Sequence, residues 1–598
     1  KYLGAHVEEK GVTFRTFAPS ASRITLIGEF NDWQEWEMNK VSDGNFWECY
    51  VPQAKAGQMY KYKIYARNGN PVDHCDPYGF GMELRPGSAS IIRDMSKYKF
   101  KDSQWLQSRS DCRKKPLNIY EIHFGSFRKP SDKADDWYNY EEMIDILIPY
   151  LVKNGYNYLE IMPLNEYPCD ESWGYQATGF FSPTSRYGTA DQLKAFIDAC
   201  HKHNIGVLMD FVPVHFAVDA YGLANYDGTA LYEYPNSAVG VSEWGSCNFM
   251  HSRGETRSFL QSCANYWMSE FHMDGIRMDA VASMLYLDYG RENGQWVPNK
   301  YGENKNLEAI EFFKHLNTVV LGRNKGTVMI AEESTAWPKV TAHPEEGGLG
   351  FSLKWNMGWM HDFLEYMKLD PYFRQYNHHK MTFSLTYAYS ENYVLVLSHD
   401  EVVHLKCSMI NKMPGLGQDK IENLKVGYSY MLGHPGKKLL FMGQEFGQYR
   451  EWSEARELDW YLTAESSHRE LRDYVKELLK MYKKYPALYA TDHTDGAFEW
   501  INADDACRSI YSFIRKSPTG RNNLLFVINC TPVARDDYRV GVPKKKQYRL
   551  VLNSKDPKFG GDVPVEKTVY MAQKKECDGR EFSFAYPLPA YGVAVFTY

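Results

Sequence analysis

The sequence lacks the features that mark several classes of protein. Its eleven cysteines are scattered over 598 residues without a CxxC pair, so the spacing predicts neither a thiol-ligated metal site nor a disulfide scaffold. No apolar run is long enough to cross a bilayer, and no signal peptide is visible. We therefore expect reduced thiols, a cytoplasmic location and no membrane partner.

An excess of positive charge is also missing. The 69 Lys and Arg side chains against 75 Asp and Glu give a formal net charge of −6. A protein that binds a phosphate backbone would carry a basic domain, so we expect no nucleic-acid partner. Aromatic side chains are plentiful instead, with 45 Tyr, 31 Phe and 15 Trp. Most belong in a core, but Tyr and Trp also suit sugar binding because each ring has an apolar face and a polar edge.

The chain is too long for one ordinary core, and its patterning divides it into three parts. Residues 1–105 carry short β-rich runs separated by turn residues, which predicts an N-terminal β-sandwich. Residues 489–598 return to the same pattern and predict a C-terminal β-sandwich domain. The intervening residues 106–488 form the third part, which we expect to be the catalytic domain.

That middle part alternates apolar strands with amphipathic helices, which predicts the α/β class. Eight such units favour a (β/α)₈ TIM barrel with long loops over a doubly wound open sheet, which has no need of eight units. The predicted strands lie at residues 117–124, 157–163, 205–212, 275–280, 327–333, 350–357, 393–401 and 437–447.

Polar side chains cluster where four of these strands end. In a barrel of this kind, the catalytic groups lie at the carboxyl ends of the strands. Strands three, four, five and seven would each supply a carboxylate to one rim, which is more than a polar strand end facing solvent would explain. The residues concerned are Asp210, His215, Arg277, Asp279, Glu332, Glu333, His399 and Asp400.

Clustered carboxylates without cysteine or several histidine ligands favour glycoside chemistry over a transition-metal site, so we expect no metal and no cofactor. The retaining reaction needs an ionised nucleophile and a protonated acid. Arg277 and Asp279 share one side of a strand, so the guanidinium should lower the pKa of Asp279. Glu332 follows an apolar run and stands beside Glu333, and both features should raise the pKa of Glu332.

Four short motifs carry a resemblance to a known family. DFVPVH (210–215), GIRMDAV (275–281), IAEES (330–334) and LSHDE (397–401) resemble the four blocks of glycoside hydrolase family 13, the α-amylase family. The resemblance implies that Asp279 is the nucleophile, Glu332 the acid/base and Asp400 the stabiliser of the transition state. It also implies which residues line the subsite of the reacting glucose, namely Asp210, His215, Arg277 and His399.

The loops are similar to those of the glucan branching enzymes within that family. The segments 162–189, 215–234 and 330–338 carry this similarity, and residues 3–6 with 28–33 resemble the start of a family-48 carbohydrate-binding module. By this resemblance Tyr175 is the platform for the reacting sugar, and Trp173 lines the cleft. The implied activity is transfer of an α-1,4-glucan segment from glycogen, amylose or amylopectin to a 6-hydroxyl, in glycogen biosynthesis. Nothing in the sequence demands an oligomer, so we expect a monomer.

Two other functions remain open from the residues. A debranching or amylolytic hydrolase would use the same carboxylates with water as acceptor, and a glucan-binding protein without activity would not need them. One departure from the family is informative, because many hydrolytic members have a calcium-binding asparagine where this chain has Val214. Valine has no oxygen in its side chain to offer a cation, so we expect no calcium there.

Overall fold

Eight parallel strands close into a barrel in the computed structural model, which describes residues 1–41, 45–67, 69–292 and 294–598, without the side chains of residues 237 and 238. The strands follow one another around the barrel in chain order, and this confirms the predicted fold class. The barrel strands are β1 (Asn118–Ile122), β2 (Tyr158–Ile161), β3 (Gly206–Phe211), β4 (Gly275–Met278), β5 (Val328–Ala331), β6 (Leu353–Trp355), β7 (Tyr393–Leu397) and β8 (Lys437–Phe441).

Alternation along each strand separates the inside of the barrel from the surrounding helices. Ile119 packs in a cluster with Leu208 and Leu439 from other strands, whereas Tyr120 and Ile122 belong to the larger cluster that includes the helices. Side chains two residues apart share one face of a strand, so Glu121 lies on the same interior face as Ile119.

Helices connect most strands, as predicted, but one unit lacks its helix. Between β5 and β6 the chain, which is described throughout this segment, has a 3₁₀ turn at Pro344–Glu346 and no α-helix. The predicted alternation is therefore wrong at this unit, because the segment forms an irregular loop. The connecting helices are Glu142–Asn154, Ala190–Lys202, Gly254–Glu270, Leu307–Arg323, Met357–Met367, Gln418–Gly433 and Ser466–Lys484.

The helix Ala190–Lys202 shows how local sequence fixes the boundaries of these elements. The Thr189 side chain accepts a hydrogen bond from the backbone N–H of Gln192, and Gln192 Oε1 accepts one from the backbone N–H of Thr189. Such a capping box satisfies N–H groups that have no partner inside the helix. Shorter helices lie at Ser103–Ser108, Phe124–Phe127, Ser237–Gly240, Val281–Leu285, Pro371–Arg374, His379–Thr382 and Met409–Lys412.

The N-terminal part forms two antiparallel sheets, as the β-rich pattern predicts. One has four strands, and the other has four strands in its main order with a fifth paired to one of them. The first sheet contains Gly4–Glu8, Gly11–Phe17, Phe46–Val51 and Asn39–Val41, and the second contains Trp36–Glu37, Ala21–Gly28, Met59–Ala66, Val72–His74 and Ser90–Ile91.

The C-terminal part is also built from antiparallel strands. A six-stranded sheet and a two-stranded sheet enclose a separate apolar core. The strands are Phe498–Asn502, Ile510–Arg515, Leu524–Asn529, Val593–Thr597, Gln547–Asn553 and Val569–Met571 in the larger sheet, with Arg535–Val542 and Phe582–Leu588 in the smaller. Among the helices that the structure describes, none has both the length and the apolarity to span a bilayer.

Candidate active site

Arg277, at the end of β4, is the centre of the polar mouth of the barrel. Its side chain is fully buried, and its guanidinium donates to three carboxyl groups. The distances are 2.9 Å to Asp210 Oδ2, 3.0 Å to Asp279 Oδ1 and 2.7 Å to Glu332 Oε2. Its plane lies over the Trp355 ring, 4.2 Å from the centroid. One cation therefore joins the carboxylates of three different strand ends.

The sharing of Arg277 changes the expected electrostatics of Asp279. Burial raises the pKa of Asp279 well above its ordinary value, Arg277 lowers it, and the neighbouring carboxyls of Glu332 and Asp210 raise it further. Arg277 does lower the pKa of Asp279, as predicted, but the predicted net decrease is wrong because burial and the neighbouring carboxyls outweigh the guanidinium. Asp279 and Glu332 are hydrogen-bonded to each other, so the two carboxyls are in direct contact at the mouth of the barrel.

Glu332 is positioned by a strained residue that follows Asp279. Ala280 has φ 49° and ψ 41°, a left-handed conformation that is unfavourable for alanine. This conformation directs the Ala280 N–H to Glu332 Oε2 at 2.9 Å. Glu333 points elsewhere and pairs with Lys354 Nζ at 2.7 Å, so the carboxyl next to Glu332 in space is Asp279 and not Glu333.

His399 and Asp400 follow β7 on the opposite side of the mouth. The His399 Nδ1 lies 2.6 Å from Glu121 Oε1, and the His399 Nε2 lies 3.4 Å from Asp400 Oδ1. Burial lowers the pKa of His399, but Asp400 and Glu121 outweigh it and raise this pKa to about 10. Burial raises the pKa of Asp400, and His399 and Arg277 reverse this, so the net shift is downward. His399 is therefore a cation beside an anionic Asp400.

Two aromatic side chains from the loop after β2 complete this side. Tyr175 donates a short hydrogen bond to Asp210 Oδ2, and its ring stacks on His399 at 5.7 Å. Trp173 meets the His399 ring edge-on at 5.8 Å and donates through Nε1 to Glu454 at 3.1 Å. Both predicted aromatics thus lie beside the predicted histidine.

The carboxyls at the mouth differ in how far they are exposed. The side chains of Asp210 and Arg277 are fully buried, whereas Asp279 and Glu332 remain 16% and 18% exposed and Asp400 41% exposed. A ligand in the mouth can therefore reach the three carboxyls predicted to be catalytic. Burial raises the pKa of Asp210 to about 6, although Arg277 opposes this.

His215 is the predicted site residue with the weakest links to this group. Its buried ring lies 5.3 Å from the Trp244 ring, its Nδ1 has no hydrogen-bond partner, and burial lowers its pKa to about 4. Within the described part of the chain, no hydrogen bond, ion pair or ring contact joins His215 to Asp210, Arg277 or His399. Its place in the subsite remains a prediction.

Val214 lies in the wall of a cavity beside the predicted site residue His215. Its side chain is buried and lines a cavity with Phe249, His251 and Ser283, so it presents methyl groups where a metal would need oxygen. Among the described residues, no three His, Cys, Asp or Glu side chains are arranged to hold a metal together.

Sequence reasoning missed two buried carboxyls of the barrel interior. Glu121 and Glu160 are fully buried on the neighbouring strands β1 and β2, where they stand in register. The sequence did contain a signal for both, because each glutamate is a charged residue inside an otherwise apolar strand. Each also follows another inward-facing side chain by two residues, so it should point into the barrel. The role of Ala280 had no comparable signal, since its unusual backbone conformation arises only in the folded barrel.

Comparison with family models matches all three parts of the chain. The model of carbohydrate-binding module 48 (isoamylase N-terminal domain) matches residues 2–79. The alpha amylase catalytic domain matches residues 131–226 and 245–519, and the alpha amylase C-terminal all-beta domain matches residues 500–598. These matches confirm the resemblance to the α-amylase family; the boundaries at 105 and 488 remain predictions.

Solved structures share the fold at low sequence identity. A pullulanase from Bacillus acidopullulyticus superposes with a TM-score of 0.73 at 17% identity, over 100% of this chain and 75% of the other. A type I pullulanase from Bacillus subtilis gives 0.72 at 16% identity, over 100% and 85%. Identities this low support the architecture alone.

Full-length relatives are much more similar in sequence. The 1,4-alpha-glucan branching enzyme GlgB of Butyrivibrio fibrisolvens is 51% identical over 606 aligned residues, covering 100% of this chain and 95% of the relative. GlgB of Marinobacter nauticus is 44% identical, covering 99% and 95%. This chain therefore belongs to the 1,4-alpha-glucan branching enzyme (GlgB) family, within the α-amylase family.

Proposed function

We propose that this protein is a glucan branching enzyme that works by a retaining, two-step transfer. It cleaves an α-1,4 bond in a glucan, holds the released segment on the enzyme, and passes it to a 6-hydroxyl to form an α-1,6 branch. Family membership supports the overall activity, and the geometry of the mouth supports the mechanism.

The observation that carries the mechanism is the contact between Asp279 and Glu332. Inverting glycosidases separate their two carboxyls widely to leave room for a water, whereas retaining enzymes hold them close together. Here the two carboxyls are hydrogen-bonded to each other and are bridged by one guanidinium. This leaves no room for an intervening water, so the arrangement favours a covalent glycosyl–enzyme intermediate.

In the first step, Glu332 donates its proton to the glycosidic 4-oxygen as the bond from that oxygen to the anomeric carbon breaks. Asp279 Oδ attacks the anomeric carbon and forms the glycosyl ester. This step needs a proton on Glu332 and an ionised Asp279, and the Arg277 guanidinium holds both carboxyls in place for it. Asp400 stabilises the positive charge that develops on the sugar ring.

In the second step, Glu332 accepts the proton of the acceptor 6-hydroxyl. The oxygen of that hydroxyl attacks the anomeric carbon, and the bond from the anomeric carbon to Asp279 breaks. Two inversions give net retention. Tyr175 and His399 lie beside Asp210 and Asp400, where they can hold the hydroxyl groups of the reacting glucose. Hydrolysis would follow the same steps with water as acceptor, so the carboxyls do not distinguish the two outcomes.

Linear amylose distinguishes transfer from hydrolysis. We expect falling iodine absorbance, a new α-1,6 anomeric proton signal by NMR and nearly constant reducing ends. Rising reducing ends without an α-1,6 signal would instead establish a debranching or amylolytic hydrolase. Asp279→Ala is the matched control. If the wild type left all three signals unchanged and Asp279→Ala behaved in the same way, the protein would be a glucan-binding protein without activity.

We also propose that the substrates are glycogen, amylose and amylopectin, and that the enzyme acts in the cytoplasm as a monomer without nucleic acid or a membrane. The module-48 match supports a polymeric glucan. All eleven cysteines lie in described parts of the chain and are free thiols, which suits a reducing compartment.

A further inference from the structure

A buried glutamate below the mouth of the barrel holds His399 by two contacts. Glu121 Oε2 accepts the backbone N–H of His399 at 3.0 Å, and Glu121 Oε1 accepts from Nδ1 of its ring at 2.6 Å. Both residues are buried, Glu121 fully. One carboxylate therefore fixes both the backbone position and the ring orientation of a residue 278 positions away in sequence.

The hydrogen-bond pattern determines what the other ring nitrogen can do. Since Nδ1 must donate to the acceptor-only carboxylate, Nε2 donates only when the ring is an imidazolium. Nε2 lies 3.4 Å from both Asp400 Oδ1 and the Tyr175 hydroxyl, so it points toward the reaction centre. A carboxylate that orients a histidine in this way is a recurring device in active sites.

We propose that Glu121 is a positioning residue of the transfer reaction: it aims the His399 ring and keeps Nε2 a hydrogen-bond donor toward the substrate and Asp400. This inference rests on the proposed function. Glu121 does not itself reach the mouth, so it acts through His399.

The electrostatics around His399 depend on groups from several elements. Glu121 comes from β1, Asp400 is next in sequence, Tyr175 comes from the loop after β2 and Arg277 comes from β4. Burial lowers the pKa of His399 and Arg277 opposes its charge, so Asp400 and Glu121 must together keep the ring protonated. The other titratable groups that interact with His399 are His123, Glu160 and Asp210.

The first test is the pH profile of branching by Glu121→Gln. The amide removes a negative charge and faces one of the two His399 donors with an NH₂ group, so we expect the pKa of His399 to fall. Activity should then be lost on the alkaline side at least one pH unit earlier than in the wild type, because His399 deprotonates as pH rises. We expect kcat at neutral pH to fall about 10- to 100-fold, with a smaller change in KM.

Two further variants separate charge from packing. Glu121→Asp keeps the charge but shortens the side chain, so its kcat should fall while its alkaline limb stays near that of the wild type. Glu160→Gln is the matched control, since Glu160 is equally buried, stands in register with Glu121 and has no hydrogen-bond partner for either oxygen. Burial raises the pKa of Glu160 well above its ordinary value, so glutamine replaces a carboxyl that favours its neutral form and should change the field at His399 little. The alkaline limb of Glu160→Gln should therefore stay in place; a shift equal to that of Glu121→Gln would overturn the proposal.

A measurement on the wild type does not depend on the variants folding or on activity. We expect ¹⁵N-histidine NMR at pH 8, with the His399 signals assigned by His399→Asn, to show both ring nitrogens protonated. A neutral His399 ring at that pH would overturn the proposal while leaving branching activity intact. Loss of branching in the wild-type amylose assay would instead refute the proposed function, so the two failures are distinguishable.

Discussion

The interior of the barrel has two layers of opposite character on the same strands. In the lower layer, Ile119, Leu208 and Ile330 pack into an apolar cluster. Two residues further along β1 and β3, and just past the end of β5, the same interior face carries Glu121, Asp210 and Glu332. Because side chains two residues apart point the same way, moving two residues along each strand replaces the packed apolar core with charged side chains that lie below and at the mouth.

The two layers contribute to different properties of the barrel. The lower layer buries apolar surface and needs no partners, so it stabilises the fold. The upper layer crowds carboxyls around one buried guanidinium, and burying charge opposes folding unless it is fully paired. Arg277 stands at the boundary, with Trp355 of the lower cluster against its face and three carboxyls at its edges. Stability and chemistry therefore depend on different layers.

The largest effect should come from changing the upper layer alone. Asp279→Asn removes the proposed nucleophile but keeps an oxygen for Arg277, so we expect kcat to fall by about 10⁴-fold or more. The melting temperature should stay the same or rise, because one of three carboxyls crowded around Arg277 becomes neutral. Amylose branching rates and thermal unfolding by circular dichroism check the two parts. A clear fall in melting temperature would show that this carboxyl stabilises the fold.

The lower layer should give the reverse result. Leu439 is fully buried in the apolar cluster, so Leu439→Ala should lower the free energy of unfolding by about 2–5 kcal/mol. The activity of the folded protein at 25 °C should be unchanged. The measurements are the same as for Asp279→Asn, which makes the two variants a direct pair. A loss of kcat without loss of stability would show that the two layers are coupled.

Sequence patterning was sufficient for the strands of the barrel and for most of the residues at its mouth. An apolar run that ends in Asp, Glu or Arg identifies both the strand and its carboxyl end, as where Met209 is followed by Asp210. The missing helix before β6 was beyond this reasoning, because an irregular loop has no period to detect. The partners of Arg277 were also hidden: Asp210 and Glu332 are 67 and 55 positions away, and only barrel closure brings them together.

The incorrect prediction for the pKa of Asp279 has the same origin, because it depends on contacts that exist only in the folded barrel. Two-residue spacing places Arg277 beside Asp279, but it says nothing about burial or about competing carboxyls. Burial is the largest influence on the pKa of Asp279, and it acts against Arg277. Glu121 could have been noticed as a charge inside an apolar strand. Its contacts with His399 could not, because the two residues are 278 positions apart in the sequence.

The smallest effect should come from Ala280, which follows the proposed nucleophile Asp279 and donates its N–H to the proposed acid/base Glu332. At φ 49°, Ala280→Gly relieves strain of about 1 kcal/mol but also increases the entropy of the unfolded chain, so stability should change by less than about 1 kcal/mol. Ala280→Val is the matched control, because a β-branched side chain resists this conformation. We expect the valine variant to melt earlier and to lose about 10-fold in kcat as the Ala280 N–H shifts from Glu332. Equal kcat and melting temperature in the two variants would mean that the backbone at Ala280 does not set the position of the acid/base, and that Arg277 alone orders the upper layer.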